Sequence, residues 1–340
     1  MYGFQEMATA FDAAQGPSRL LRGTLGGHDL TTHFVGESLR AAIGPVFDYL
    51  TGGGAGRQGA AVKLWDVAAT EVTAPPVPDE AERDWAGPGW RLRWFGSGRY
   101  LCEERPSSLL WLDREERQLI GCFADSRALE RGTIARPLQR MMSLFCRSLG
   151  IQEIHAGLLA RDGCGALLVG PGGRGKSTTT IDGLASGLDF LGDDSVGLGD
   201  GPEGSLAGHC LYASARVMPG QMERWPRLRP YWLPPLPTEQ KHLLLPSALP
   251  DTRLAQNVRI VATILPRYVG NGVRFYRGAP IEAYHALVRD SRDNRRFGMT
   301  ETEARRFARL TRETAIYHLE VDRDPAQVAA ACLDIIERSS

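Results

Sequence analysis

The stretch GALLVGPGGRGKSTTT (165–180) constrains the fold of this 340-residue chain more than any other part of its sequence. Gly170, Gly175, Lys176 and Ser177 match the pattern G-x-x-x-x-G-K-[ST], which is typical of loops that bind phosphate groups. The apolar run before the loop predicts a buried strand, and the residues after it predict a helix through about residue 185. A strand, a glycine-rich loop and a helix in this order predict an α/β fold. A glycine-rich turn that binds nothing is the alternative, and the flanking strand and helix argue against it.

Each residue type in this P-loop contributes to phosphate binding in its own way. Glycine lets the backbone curl until successive N–H groups point at one anion, and the positive end of the following helix faces the same anion. The lysine contacts the outer phosphates, and the serine hydroxyl binds Mg²⁺. We therefore expect ATP and Mg²⁺ as cofactors. The residues predicted to bind the nucleotide are Gly170, Gly172, Gly173, Arg174, Gly175, Lys176, Ser177 and Thr178.

Two acidic residues and one histidine lie near the loop in the sequence. Asp193 and Asp194 follow an apolar run, and the ends of strands are where α/β proteins gather their site residues. One carboxylate could hold Mg²⁺ while the other accepts a proton from an attacking hydroxyl; a solvated acidic turn is the alternative. His155 lies in EIHAGLL, a predicted strand that would pair with the strand before the loop. A histidine there could orient an aspartate, or it could be an ordinary core residue.

His155, the P-loop and the acidic pair, at these spacings, resemble the catalytic domain of the HPr kinase/phosphorylase family. The resemblance covers about residues 151–198. It extends to related proteins of bacterial gene clusters, some of which phosphorylate ribosomally made peptides, including lasso peptides. It implies a P-loop kinase domain with the fold of phosphoenolpyruvate carboxykinases, and a serine hydroxyl as the acceptor.

The resemblance also implies roles for particular residues. Asp193 would be the general base, paired with His155, and Lys176 would complete the catalytic set. Asp194 and Ser177 would hold Mg²⁺. The chain has no counterpart of the family's C-terminal signature, so neither phosphorylase activity nor a hexamer is expected.

The pattern of predicted strands and helices changes along the chain. Residues 61–123 read as short strands separated by turns and predict an antiparallel meander, and an amphipathic helix is predicted over 136–150. Strands and helices of an α/β pattern follow, interrupted by a proline-rich segment over 218–250. These patterns predict a smaller β-rich domain, 1–130, which could dock the acceptor, followed by the P-loop catalytic domain, 131–340.

Composition limits the partners and the location. Forty basic residues balance forty acidic ones, which argues against nucleic acid or an anionic membrane as a partner. The six cysteines are scattered, and no signal peptide or membrane-spanning stretch is visible, so we expect reduced thiols and a cytoplasmic location. Exposed aromatic residues of the front strands could serve a homo-oligomer interface.

Three basic residues are weaker candidates for the site. Arg216, Lys241 and Arg253 could offset phosphoryl charge or line an acceptor groove, although a solvated surface charge is the ordinary interpretation of each. The arginine cluster in RDSRDNRRFG (289–298) could dock an acidic peptide, with a solvated surface again as the alternative.

The sequence thus predicts an ATP- and Mg²⁺-dependent kinase. It would transfer the γ-phosphate to a hydroxyl, with serine in a peptide or protein, such as a lasso peptide, as the acceptor. A non-catalytic ATP-binding module that controls partner assembly and a small-molecule kinase are the alternatives. A GTPase switch is disfavoured because no guanine-reading N-K-x-D occurs in a suitable place.

Overall fold

A computed structural model describes residues 2–52, 57–291 and 298–340 of the chain. The chain divides into two compact units, Met1–Leu149 and Gly150–Ser340. The first unit is smaller and rich in β-strands, and the second is a mixed α/β unit, so the predicted fold class is confirmed. Most of the arginine cluster predicted at 289–298 falls on residues 292–297, which lie outside the described residues.

One sheet, eight-stranded within the described residues, dominates the first unit. Its strands are β1 (Ser18–Leu25), β2 (His28–Val35), β3 (Arg57–Asp66), β4 (Arg83–Gly87), β5 (Trp90–Phe95), β6 (Tyr100–Arg105), β7 (Ser108–Asp113) and β8 (Gln118–Phe123). They lie in the order β1-β2-β3-β8-β7-β6-β5-β4. Strands β4 to β8 form an antiparallel meander, as predicted, while β3 lies parallel to both β2 and β8.

Helices cover this sheet and complete its core. They are α1 (Tyr2–Ala13), α2 (Glu37–Ile43), α3 (Val67–Thr70), α4 (Arg131–Ala135) and α5 (Gln139–Ser148). Phe4, Met7 and Phe11 recur on one face of α1 and pack with the buried Trp65 and Trp111. Large aromatic side chains dominate the area buried in such a core.

Helix α5 belongs to the first unit, so the boundary between the units lies after residue 149 and not near 130. The Arg140 guanidinium forms an ion pair with the fully buried Glu103 of β6 and lies 3.9 Å from the centre of the Trp90 ring. The helix also packs on β7 and β8. A buried charge needs its partner, so this ion pair keeps α5 with the sheet.

The second unit contains a nine-stranded mixed sheet and a small three-stranded sheet within the described residues. Its strands are β9 (Gln152–Ile154), β10 (Gly157–Arg161), β11 (Cys164–Leu168), β12 (Asp189–Gly192), β13 (Val196–Asp200), β14 (Leu206–Cys210), β15 (Ala215–Val217), β16 (Trp232–Leu233), β17 (His242–Leu244), β18 (Asn257–Tyr268), β19 (Arg274–Arg277) and β20 (Ala315–Val321). Its helices are α6 (Lys176–Ala185), α7 (Pro280–Asp290), α8 (Glu301–Glu313) and α9 (Pro325–Ser339).

Strand direction in the large sheet determines where a site can form. Strand β11 lies parallel to β18, and β18 lies parallel to β20. Strand β10 lies antiparallel to both β11 and β12, so β12 runs in the same direction as β11. The carboxyl ends of β12, β11, β18 and β20 therefore share one edge of the sheet with the start of β10. Ligands of α/β proteins bind at such an edge.

Two predicted strands are each divided in the structure. EIHAGLLA forms β9 and β10, and His155 lies in the short connection between them. LDFLGDDSVGLG forms β12 and β13, and Asp193 and Asp194 lie in the turn between them. The proline-rich stretch 218–250 contains 3₁₀ turns and the short strands β16 and β17.

All six cysteines are free, and five of them are buried. Across residues 2–52, 57–291 and 298–340, every helix is too short or too polar to cross a bilayer.

Candidate functional site

The P-loop follows β11 at the shared edge of the sheet and ends where α6 begins. Gly170, Gly173 and Gly175 have positive φ values of 135°, 79° and 105°, a backbone region that disfavours residues with a Cβ atom. A Cβ added at Gly170, Gly172 or Gly173 would meet no atom within 4 Å, so the loop curls around open space. The first turn of α6 has no side-chain cap, which leaves its N–H groups available to an anion.

Lys176 opens α6, and its side chain is buried against the P-loop. Its ammonium group donates hydrogen bonds to the carbonyl oxygens of Gly170 and Pro171. An ammonium has three donor hydrogens and no acceptor, so it holds the loop closed and still presents a positive charge to it.

Asp193 lies at the end of β12 and is buried, only 4% exposed. The Ser177 hydroxyl hydrogen-bonds to its carboxylate, whereas Oδ1 is buried with no hydrogen-bond partner in the described part of the chain. Burial, and then repulsion from Asp194, raise the pKa of Asp193 to about 6. An unsatisfied buried oxygen costs free energy, so this oxygen is suited to a ligand that would satisfy it.

Asp194 follows with a left-handed backbone, φ 73°, and its partner is His155. The Nδ1 atom of His155 lies 2.9 Å from the carbonyl oxygen of Asp194 and 2.9 Å from its Oδ1 atom. Both are acceptors here, so we assign the hydrogen to Nδ1, which then donates. This contact holds the turn that directs the Asp194 carboxylate.

The roles that the resemblance implied for the two carboxylates stay predictions, because His155 lies near both of them. His155 is paired with Asp194, and its charge also opposes the rise in the pKa of Asp193, whose carboxylate accepts a hydrogen bond from Ser177.

A cavity of about 920 Å³ opens at this edge of the sheet. Ligand pockets commonly measure about 300–1,000 Å³, so a nucleotide would fit in it. Residues of the P-loop line it, and so do His155 and Asp194. Thr178 lines it too and lies 3.5 Å, Oγ1 to Nε2, from Gln221.

The weaker candidates separate into two groups. Arg216 and Lys241 line the cavity. Arg253 lies elsewhere: its Nε atom is 3.1 Å from Oδ1 of Asp189, at the opposite end of β12 from the acidic pair. Arg174 is exposed and does not contribute to the cavity lining in the described residues.

A buried ion pair connects α6 to the far wall of the cavity. Arg224, which lines the cavity, donates two hydrogen bonds to the buried Asp182 of α6, Nε to Oδ1 at 2.7 Å and Nη2 to Oδ2 at 2.6 Å. The Trp225 indole donates a third, at 2.8 Å. Burial raises the pKa of Asp182, and these donors oppose that rise. The P-loop helix and the wall formed by the 3₁₀ turn Pro219–Arg224 are therefore fixed to each other.

Magnesium fits the oxygen atoms near Ser177, which lines the cavity. It prefers hard oxygen ligands and usually takes only one or two of them from a protein. The Ser177 hydroxyl and Oδ1 of Asp193 are such oxygens, and the latter lacks a partner within the described residues. Among those residues, no group of three or more His, Cys, Asp or Glu side chains is arranged to hold a metal ion.

Sequence reasoning missed eight residues that line the cavity: Met218, Gly220, Gln221, Glu223, Arg224, Tyr268, Val321 and Arg323. A signal existed for two of them. Tyr268 ends β18 and Arg323 follows β20, and both strands were predicted. Placing the carboxyl ends of these strands beside the P-loop would have identified both residues.

Comparisons with known proteins add little. No family model matches the chain, and no curated protein matches it. Among solved structures, the chain is similar to the Hpr(Ser) kinase/phosphatase from Coxiella burnetii, with 13% sequence identity and a TM-score of 0.29. The match covers 54% of this chain and 95% of that one.

Proposed function

We propose that the second unit is an ATP- and Mg²⁺-dependent kinase that transfers the γ-phosphate to a hydroxyl, with serine in a peptide or protein as the acceptor. One observation supports this function above the others: the P-loop lysine and the His155–Asp194 pair line the same cavity. A module that only senses ATP needs the loop but no carboxylate at the acceptor position. A kinase needs both.

Asp194, not Asp193, is the proton acceptor in this proposal. Its carboxylate lines the cavity, and the imidazole of His155 orients it. The acceptor oxygen forms a bond to the γ-phosphorus while the bond to the β–γ bridging oxygen breaks. The acceptor proton passes to the Asp194 carboxylate, and ADP leaves. Alignment and proton removal are what the chain contributes, because a neutral hydroxyl is a poor nucleophile.

Positive charge around the phosphates comes from several directions. Lys176 and the loop N–H groups hold the outer phosphates. Ser177, which lines the cavity, and the buried Asp193 beside it would hold Mg²⁺, which would supply positive charge to the phosphates. Arg216 and Lys241 line the cavity and supply further charge toward the transferred group. Docking of the acceptor by the β-rich part of the chain stays a prediction.

Two aspartate variants test these roles. Full-length protein is incubated with labelled ATP, Mg²⁺ and serine-containing candidate peptides, and the products are identified by mass spectrometry. Asp194→Asn keeps a residue that tolerates a left-handed backbone and is expected to reduce transfer by about 100-fold or more while AMP-PNP still binds. Asp193→Asn is expected to raise the Mg²⁺ concentration needed for half-maximal transfer.

Asp189→Asn is the matched control, because Asp189 begins the strand that precedes the acidic pair and is ion-paired with Arg253 outside the cavity lining. Asp189→Asn should leave both the transfer rate and the Mg²⁺ concentration for half-maximal transfer unchanged. Full transfer by Asp194→Asn together with complete loss in Asp193→Asn would restore the pairing implied by the resemblance. Nucleotide binding without transfer to any hydroxyl would favour a non-catalytic module.

A further inference from the structure

The end of the cavity opposite the acidic pair carries an aromatic ring and a guanidinium. Tyr268 is the last residue of β18, and Arg323 lies just beyond the end of β20. Both line the same cavity as the P-loop. In the sheet, β10 and β12 lie on one side of the P-loop strand β11, and β18 and β20 lie on the other. The P-loop therefore stands between the acids and the Tyr268–Arg323 pair.

The pair is exposed and has the chemistry of a stacking surface. Tyr268 is 51% exposed, and Arg323 is exposed as well. The Nε atom of Arg323 donates to the Tyr268 hydroxyl at 3.3 Å. An exposed tyrosine ring beside a planar guanidinium offers two flat faces, and nucleobases stack on both kinds of group.

The pair is also held in place before any ligand arrives. The N–H groups of Val269 and Gly270 donate to the Val321 carbonyl at 3.1 and 3.4 Å. The N–H of Gly272 donates to Oδ2 of Asp322 at 2.8 Å. The loop after β18 is thereby fastened to the segment that carries Arg323, so less backbone entropy remains to be lost on binding.

The pair lies close to the P-loop. A Cβ atom on Gly175 would lie 3.6 Å from the Val321 side chain, so the end of β20 contacts the point where the loop enters α6. A triphosphate held by the loop, with its terminal phosphate toward Asp194, directs its other end to this side of the cavity.

We propose that Tyr268 and Arg323 form the nucleobase subsite, with the purine of the nucleoside triphosphate stacked on the tyrosine ring and the guanidinium. This assignment rests on the proposed nucleotide binding, and it does not depend on phosphoryl transfer. Stacking accepts either face of any purine, so the subsite selects a nucleoside triphosphate over inorganic phosphates and discriminates weakly between adenine and guanine.

Calorimetric titration of the full-length protein in Mg²⁺ tests the subsite with two ligands. AMP-PNP carries a base, and inorganic tripolyphosphate does not. Tyr268→Ala is expected to weaken AMP-PNP binding about 5- to 150-fold and to leave tripolyphosphate binding unchanged. Tyr268→Phe keeps the ring and should retain most of the affinity, and Arg323→Ala should weaken AMP-PNP alone.

Tyr276→Ala is the matched control. Tyr276 is an equally exposed tyrosine, 48%, on β19 of the same sheet, stacked on His318 and outside the lining of the cavity. The subsite is overturned if Tyr268→Ala leaves AMP-PNP binding at the wild-type value, or if it weakens both ligands equally. If the wild-type protein binds neither ligand, the nucleotide site itself is wrong; if it binds both but transfers no phosphate, only the kinase proposal fails.

Discussion

Burial of Asp193 raises the free energy of its ionised form. Burial is the main reason that its pKa is raised from 3.8 to about 6. As the pH rises, Asp193 loses its proton at a lower pH in the unfolded chain than in the folded one. The free energy of unfolding therefore falls as the pH rises from about 4 to about 6. A difference of about two pKa units corresponds to about 3 kcal/mol.

We expect Asp193→Asn to raise the free energy of unfolding at neutral pH by up to about 3 kcal/mol and to flatten its decline between pH 4 and 6. The asparagine oxygen can still accept the hydrogen bond from Ser177. Urea unfolding in EDTA across this pH range measures the effect, with Asp189→Asn as the control. An unchanged pH profile in Asp193→Asn would show that the carboxylate is not held in a costly charged state.

The residues of the site could be found from the sequence, but their pairing could not. Glycine, lysine and serine at fixed spacings reveal a P-loop by themselves, because the pattern reflects local backbone chemistry. The contact between His155 and Asp194 depends on a left-handed turn at Asp194 and on the register of β10 with β12. Nothing local in the letters DD distinguishes the buried acid from the one that lines the cavity.

Helix α6 is held at its start by Lys176, which hydrogen-bonds to the P-loop. Further along, it is held by the ion pair of Asp182 with Arg224. Breaking a buried ion pair by removing one partner leaves an uncompensated charge, which costs about 3–5 kcal/mol. We expect Arg224→Met to lower the free energy of unfolding by this amount, measured by chemical denaturation at neutral pH.

Adding Asp182→Asn to Arg224→Met should recover part of that loss, because the stranded charge is gone. A double-mutant cycle with Asp182→Asn alone measures the coupling. Equal stabilities of Arg224→Met and the wild type would mean that water reaches Asp182 and that the wall of the cavity is not fixed to α6.

Elements with a strong apolar period were predictable, and those at the polar edge of the first sheet were not. The predicted segments ETEARRFARLTRE and AIYHLEV coincide with α8 and β20. Strand β1 has the sequence SRLLRGTL and is mostly half-exposed or exposed. Its charged and apolar side chains do not alternate cleanly, so the two-residue period that signals a strand is weak there.

At the scale of the whole chain, each unit has an apolar core of its own. One core joins α1 to the sheet of the first unit, and the other lies around α6, α9 and the strands they cover. The boundary was predicted too early because α5 reads as an ordinary amphipathic helix. Which sheet it covers depends on Arg140 and Glu103, which lie far apart in the sequence.

This division predicts different behaviour for two fragments. Residues 150–340 keep a complete core and should unfold cooperatively and bind AMP-PNP as tightly as the full-length protein. Residues 131–340 also carry α5, whose Met141, Met142 and Phe145 are buried in the full chain. Without β7 and β8 these side chains become an exposed apolar face, so the longer fragment should self-associate, as light scattering would measure. If the longer fragment is monomeric and folded while 150–340 is unfolded, α5 belongs to the second unit, and the boundary lies near residue 130 after all.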